Sequence, residues 1–263
     1  IGRVADSPVP EGVNWELYRG PAPMIPFNSN HFHYNWHWYW DTATGEFGNN
    51  GVHYIDRIRV AMKKEEHPVK ISCCGGFYAY DSDQEVPNLQ VATFEYADGT
   101  IIELEVRSLY TPNEEDSIIL FGTKGYALLG ADRFRAFVTG SGQNLTKADE
   151  LSSKKAGELQ PVELTWDNLD PDPVREEYEK SKIEYHFVNF VDCVKSRRRE
   201  DLIAEVEGGH LSTAISHLGN IAYKTGRKLT FDGRAERFVK DGEADSYLSR
   251  KEYRKPYVLP QKV

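Results

Sequence analysis

The sequence predicts an α+β fold: an open, mainly antiparallel β-sheet with helices packed on one face. Three observations carry this. Strand-like runs separated by glycine turns crowd the middle of the 263 residues, and helical periodicity brackets them on both sides. No glycine-rich strand-to-helix turn of the kind that holds a dinucleotide is present, so no Rossmann domain is expected in this chain.

Residues 1–30 hold Pro8, Pro10, Pro21, Pro23 and Pro26, a density that predicts an extended crossover arm, with residues 31–263 forming a single α+β domain. Next comes HFHYNWHWYWDTATGEFGNNGVHYID, His31 to Asp56, in which Trp36, Trp38 and Trp40 alternate and would share one side of a strand. Val52, Ile55, Ile58, Val60 and Ala61 recur at near-helical spacing, which predicts a helix from Gly51 to Met62 with Asn49 or Asn50 as N-cap.

From Val69 to Leu129 the pattern changes to strands. Asp98-Gly99 between two alternating runs predicts a tight hairpin, and Gly122 with Gly125 marks a second. The polar stretch from Gly140 to Asp172 reads as a long excursion with one further strand at Val162 to Trp166; Gly140-Ser141-Gly142 lacks a third glycine and reads as a loop. Two helices follow, Glu176 to Lys195 and Ala204 to Thr225, the second ending at Gly226.

Composition limits the partners. With 32 basic against 41 acidic residues the formal charge is −9, which argues against binding nucleic acid or an anionic membrane surface. No apolar run reaches the roughly 18 residues of a membrane span. The three cysteines include the adjacent Cys73 and Cys74, so buried thiols are expected rather than a disulfide framework. The start at Ile1-Gly2-Arg3, without Met, suggests that a preceding segment has been removed.

His53 carries the clearest chemistry. It lies four residues after Asn49 and three before Asp56, so the three side chains can share one side of a helix start. An imidazole so placed can shuttle a proton from a hydroxyl near neutral pH, or simply pack. Asn35, His37, Trp40 and Asp41 surround it in sequence with polar groups and a stacking wall suited to a sugar, although a tryptophan row also suits a core. His31, His33 and His37 have ligand-like spacing but no completing carboxylate or cysteine nearby, so no metal site is expected. His210 and His217 fall on one helix face, where packing is the default reading.

At these residues the chain resembles the C-terminal, substrate-binding domain of the Gfo/Idh/MocA oxidoreductases. The resemblance runs through VNWELYRGPAP, the FHYNWHWYWDTATGEFGNNGVHYID block, the Asp98-Gly99 hairpin, YHFVNFVDCVKSRRREDL and GGHLSTAISHLGNIAYKTGRKLTFD. The family's Asp-x-Gly-x-His-x-x-Asp pattern maps onto Asn49, Gly51, His53 and Asp56, with Asn49 in place of aspartate; an amide can position a hydroxyl but cannot accept its proton. The resemblance implies hydride transfer between NAD or NADP and a sugar or polyol, with catalytic His53 and substrate contacts from Asn35, His37, Trp40, Asp41 and Asn49. It places the cofactor and a catalytic lysine on a Rossmann domain missing from these residues, so the chain alone is expected to be inactive and to bind no cofactor. It also implies a homo-oligomer through the sheet's free face and a home in the bacterial cytoplasm or periplasm. The alternatives are an NAD-dependent glycosidase of the same family and a stand-alone carbohydrate-binding or scaffold module.

Overall fold

The structure is a computed structural model that describes residues 1–110, 116–130, 134–138, 160–162, 183–258 and 260. The chain divides into two compact units, Ile1–Thr111 with Val206–Val263, and Pro112–Glu205. This division differs from the expected arm followed by one domain.

The first unit opens with residues 1–30, which are tied down. Val4 N–H donates to Asp83 (2.7 Å), Arg3 pairs with Asp81 (2.7 Å), and Ser7 N–H donates to the Phe27 carbonyl (2.9 Å). Within this segment helix α1, Trp15–Arg19, is capped by the Asn14 side chain, and the Trp15 indole donates to the Ile25 carbonyl. Two short helices follow in tandem, α2 (Gly45–Asn49) and α3 (Gly51–Ala61), joined at Asn50. Asn50 is the residue before α3, but its side chain makes no capping bond there.

The sheet of this unit runs β3-β2-β1-β8-β9, from Lys70–Gly76 (β1), Leu89–Glu95 (β2), Ile101–Arg107 (β3), Leu229–Asp232 (β8) and Arg237–Phe238 (β9). Every pairing is antiparallel. The Asp98-Gly99 hairpin forms as expected: Tyr96 N–H donates to the Thr100 carbonyl, and Gly99 turns the chain at φ +86°, a left-handed conformation that glycine adopts freely. Lys64 pairs with Asp98 and holds its carboxyl down to about 2, linking the hairpin tip to the turn after α3.

Strand alternation sends Gln90, Ala92, Phe94, Ile102 and Leu104 inward, where they are buried. Helix α5, Val206–Thr225, crosses this face and buries Leu211, Ile215, Leu218, Ile221 and Ala222, a spacing of three and four that puts one stripe on the sheet. It ends as expected at Gly226, whose φ is +66° and whose N–H bonds the Ala222 carbonyl. The outward face is mixed: Leu89, Val91 and Ile101 lie among Lys70, Ser72, Thr93, Glu95, Glu103 and Glu105.

The second unit carries its own antiparallel sheet, β4-β5-β6-β7, from Asp116–Gly122, Gly125–Gly130, Phe134–Val138 and Gln160–Val162. The hairpin between Gly122 and Gly125 forms, yet the strands from Val69 to Leu129 belong to two sheets rather than one meander. The last strand starts at Gln160; Leu164 to Trp166 and Gly140-Ser141-Gly142 lie outside the described residues. Helix α4 covers Ile183–Ser196, and the expected stretch from Glu176 to Lys182 again lies outside them. No described cysteine forms a disulfide; burial pushes the Cys73 thiol up to about 12, whereas Cys74 is exposed, contrary to the expected pair of buried thiols. The reason is the strand's alternation, which turns adjacent residues to opposite faces.

Gly219 lets α5 meet the core closely: a Cβ there would stand 2.5 Å from Phe47 Cε1 and 3.2 Å from Phe94 Cζ. Gly219→Ala gains about 1 kcal/mol of helix propensity but overpacks two buried rings at about 1–3 kcal/mol. We expect a net loss, seen as a lower urea midpoint at unchanged m-value. A raised midpoint would mean that Phe47 can move aside.

Candidate functional site

The aromatic block preceding α2 is not a strand. Residues His33–Trp38 form 3-10 turns entered through His33 at φ +52°, so residues two apart point in different directions. Trp36 is exposed, Trp38 is buried and Trp40 is half-buried, and the expected tryptophan row does not form. The three histidines also part company. His31 stacks on Tyr39 at 3.5 Å, His33 is exposed, and His37 is buried.

His37 and Asp41 have partners inside the protein. The His37 Nδ1 atom faces the Tyr34 carbonyl, and its Nε2 atom approaches Glu46 Oε1 at 3.4 Å. Glu46 in turn accepts from the Asn50 amide, so this chain of contacts runs from the 3-10 segment to the start of α3. Asp41 pairs with Arg19, which is 2% exposed and also donates to the Pro23 carbonyl (2.7 Å), and the Asp41 carbonyl accepts from Arg250 (2.7 Å).

Asn35 is half-buried, and Asn49 and His53 are exposed on successive helical segments. None of these three has a side-chain hydrogen bond or ion pair among the described residues. Gly51 between them is close to β3, where a Cβ would meet Val106 Cγ2 at 3.2 Å, so the bare backbone sets the start of α3 against the sheet. Asp56, one turn on, does not orient His53. It accepts from the Ser212 hydroxyl (2.5 Å), whose oxygen accepts from Arg59 Nε (2.7 Å), and Arg59 also donates to the Lys64 carbonyl (2.9 Å). The helix is thereby fixed to α5 with His53 left free.

A groove of about 900 Å³ lies in the first unit, over the exposed side of α5. Trp40 lines it, with Lys224 Nζ 3.9 Å from its ring centroid and 5.3 Å from that of Tyr247. Burial lowers the Lys224 pKa, and the Glu85 carboxylate partly offsets this. At the other part of the lining, His67 and His210 both turn Nε2 toward Glu236 Oε1, at 3.1 and 2.5 Å. The two imidazoles hold the Glu236 carboxyl below its ordinary value, the His210 hydrogen bond contributing most. His67 and Glu236 are separated by 169 positions, so no local spacing could have united them.

The model of a family described as "Oxidoreductase family, C-terminal alpha/beta domain", that of the Gfo/Idh/MocA proteins, matches residues 2–136 and 171–259. Among solved structures, an NAD-binding protein from Listeria innocua is similar with a TM-score of 0.52 at 14% identity, over 80% of this chain and 52% of that one. The WlbA dehydrogenase from Bordetella pertussis, solved in complex with NADH and UDP-GlcNAcA, follows at TM-score 0.48 and 17% identity, over 75% of this chain and 51% of that one. The chain spans about half the length of both. No curated protein matches it.

Removing one partner of the Arg19 pair separates a structural tie from a substrate contact. Asp41→Ala leaves a buried guanidinium short of its carboxylate, at a cost of about 2–4 kcal/mol, read by urea denaturation. Unchanged stability together with weakened sugar binding would return Asp41 to the substrate.

Proposed function

Because the chain belongs to the Gfo/Idh/MocA oxidoreductase family, as its C-terminal alpha/beta domain, we propose that it binds a sugar or polyol and handles the proton of the reacting hydroxyl through His53. The observation that carries this is the local arrangement at the start of α3. The residues matching the family pattern divide into Asp56, bound to Ser212, and Asn49 and His53, which are exposed and unpartnered among the described residues.

In this reading the His53 imidazole takes the hydroxyl proton as the carbon is oxidised, or returns it in the reverse direction. Asn49 orients the hydroxyl by hydrogen bonding without accepting its proton. Asn35 and Trp40 supply a polar contact and an aromatic wall. His37 and Asp41 act one step back: His37 through Glu46 and Asn50, and Asp41 by fixing the end of the aromatic block through Arg19.

The hydride partner is NAD or NADP. The described residues do not fit its pyrophosphate, since every described strand pair is antiparallel and no glycine turn leads from a strand into a helix N-terminus. In this reading a Rossmann domain holds the cofactor, and this chain alone turns nothing over. The sheet's mixed outward face serves a homo-oligomer, in which like faces meet through paired polar and apolar residues. Light scattering at micromolar concentration should give a dimer or larger, and a strict monomer would remove that part of the proposal.

His53→Ala in a polypeptide joining this chain to its Rossmann domain should lower kcat/KM by about 100-fold or more, with nicotinamide binding retained. Asn49→Asp should keep turnover, because it restores the family residue. Undiminished turnover in His53→Ala would end the catalytic role.

A further inference from the structure

The groove contains a group of side chains that the proposed reaction does not use. We propose that His67, His210 and Glu236 form a three-ligand site for a borderline divalent cation, of Zn²⁺ type, with its fourth coordination position open to the groove. Two imidazoles and one carboxylate are a donor set suited to such ions, and three protein ligands with an open place are the arrangement of sites that accept an exogenous ligand.

The geometry supports this at each ligand. The three ligand atoms lie within 4.8 Å of one another, and among the described residues this is the one group of three histidine, cysteine or acidic side chains to converge so closely. Ligands about 2.1 Å from a shared tetrahedral ion stand about 3.4 Å apart, so separations of 3.1 and 2.5 Å need only small side-chain shifts to admit it. The donors come from three places: the loop before β1, the first third of α5 and the turn between β8 and β9. Glu236 sits at φ +46°, a left-handed backbone that a non-glycine residue holds only when its surroundings impose it.

His67 is the fixed member. Its side chain is 5% exposed, its ring lies edge-on to Phe231 at 5.5 Å, and Gly233 passes so close that a Cβ there would stand 3.0 Å from the His67 Cβ. His210 and Glu236, both about half exposed, are the members that can adjust. A hydrogen-bonded triad without metal would account for the contacts alone. What favours a metal is that three donors from distant segments converge at the wall of an open groove, one of them held fixed. Among the described residues the buried Nδ1 of His67 has no acceptor, and outer partners of that kind contribute about 10–100-fold in affinity. We therefore expect binding about 10–100-fold weaker than at a site whose outer partners are complete. The cation would give the groove a Lewis-acidic point for a hydroxyl or carboxylate, on the same helix face as His217 and Lys224.

The test uses the untagged chain, stripped with chelator and titrated with ZnCl₂ by calorimetry, with bound metal counted by mass spectrometry. Wild type should bind one more equivalent than His210→Ala or Glu236→Gln, with affinity at this site falling at least about 100-fold in either. His217→Ala, on the same helix face outside the triad, should bind as wild type does, and matched circular dichroism would establish that the variants fold. Cobalt substitution should give the visible absorption of a four-coordinate ion in wild type and His217→Ala but in neither triad variant. Equal zinc uptake by wild type and both triad variants, or no uptake by wild type anywhere in the titration, would overturn the proposal. Neither result bears on His53, which does not line the groove.

Discussion

Arg59, on α3, is a buried cation, 8% exposed, and two other parts of the first unit supply partners for it. Isolated, such a guanidinium would be expensive to remove from water. Here Ser212 brings α5 and the Lys64 carbonyl brings the turn that leads toward β1, while Asp56, one turn back on α3 itself, adds a carboxylate that also binds Ser212. Meeting these requirements fixes the angle and register of α3 on α5, because a shift of one residue along either helix would strand the charge. The same stack is clamped further along by Gln90, which donates to Asn220, and by Asn220, which donates to the Thr44 carbonyl before α2. Two buried polar ties, rather than apolar contact alone, therefore decide where the start of α3 sits.

That position is what the chemistry requires. The apolar stripe of α5 holds the helix on the sheet, and Gly51 and Gly219 allow backbone approaches that a methyl group would block. With Asp56 committed to Ser212, and Asn50 to Glu46, the residues left to meet a ligand at the helix start are Asn49 and His53. The groove over α5 shares Trp40 with the proposed substrate contacts but is otherwise chemically different, with Lys224 over the Trp40 ring at one part and two imidazoles with a carboxylate at another.

Much of this was legible in the sequence where the signal is local. The helical signal from Ala204 to Thr225 marked α5, and Gly226 marked its end; alternation and Asp98-Gly99 marked the β2–β3 hairpin. The aromatic block failed because alternation of tryptophans is a strand signal only if the backbone is extended, and a left-handed His33 turns it into 3-10 geometry instead. The two-sheet division was hidden because strand runs show their periodicity but not their partners. Asp56 was visible as a neighbour of His53, yet its bond to Ser212 spans 156 positions, and the triad of His67, His210 and Glu236 is likewise assembled by topology alone. An aspartate paired with a buried arginine and one poised for a sugar look alike in sequence, so the Arg19 pairing of Asp41 was not legible there.

The central claim is that a sugar or polyol is met at the start of α3. Histidine-selective nuclear magnetic resonance of this chain, titrated with a panel of hexoses, polyols and nucleotide sugars, tests it directly. The account predicts that at least one member shifts the His53 ring signals saturably while buried His37 moves little. A panel that perturbs only His67, His210 and His217, leaving His53 unmoved at saturation, would contradict it and transfer substrate binding to the groove.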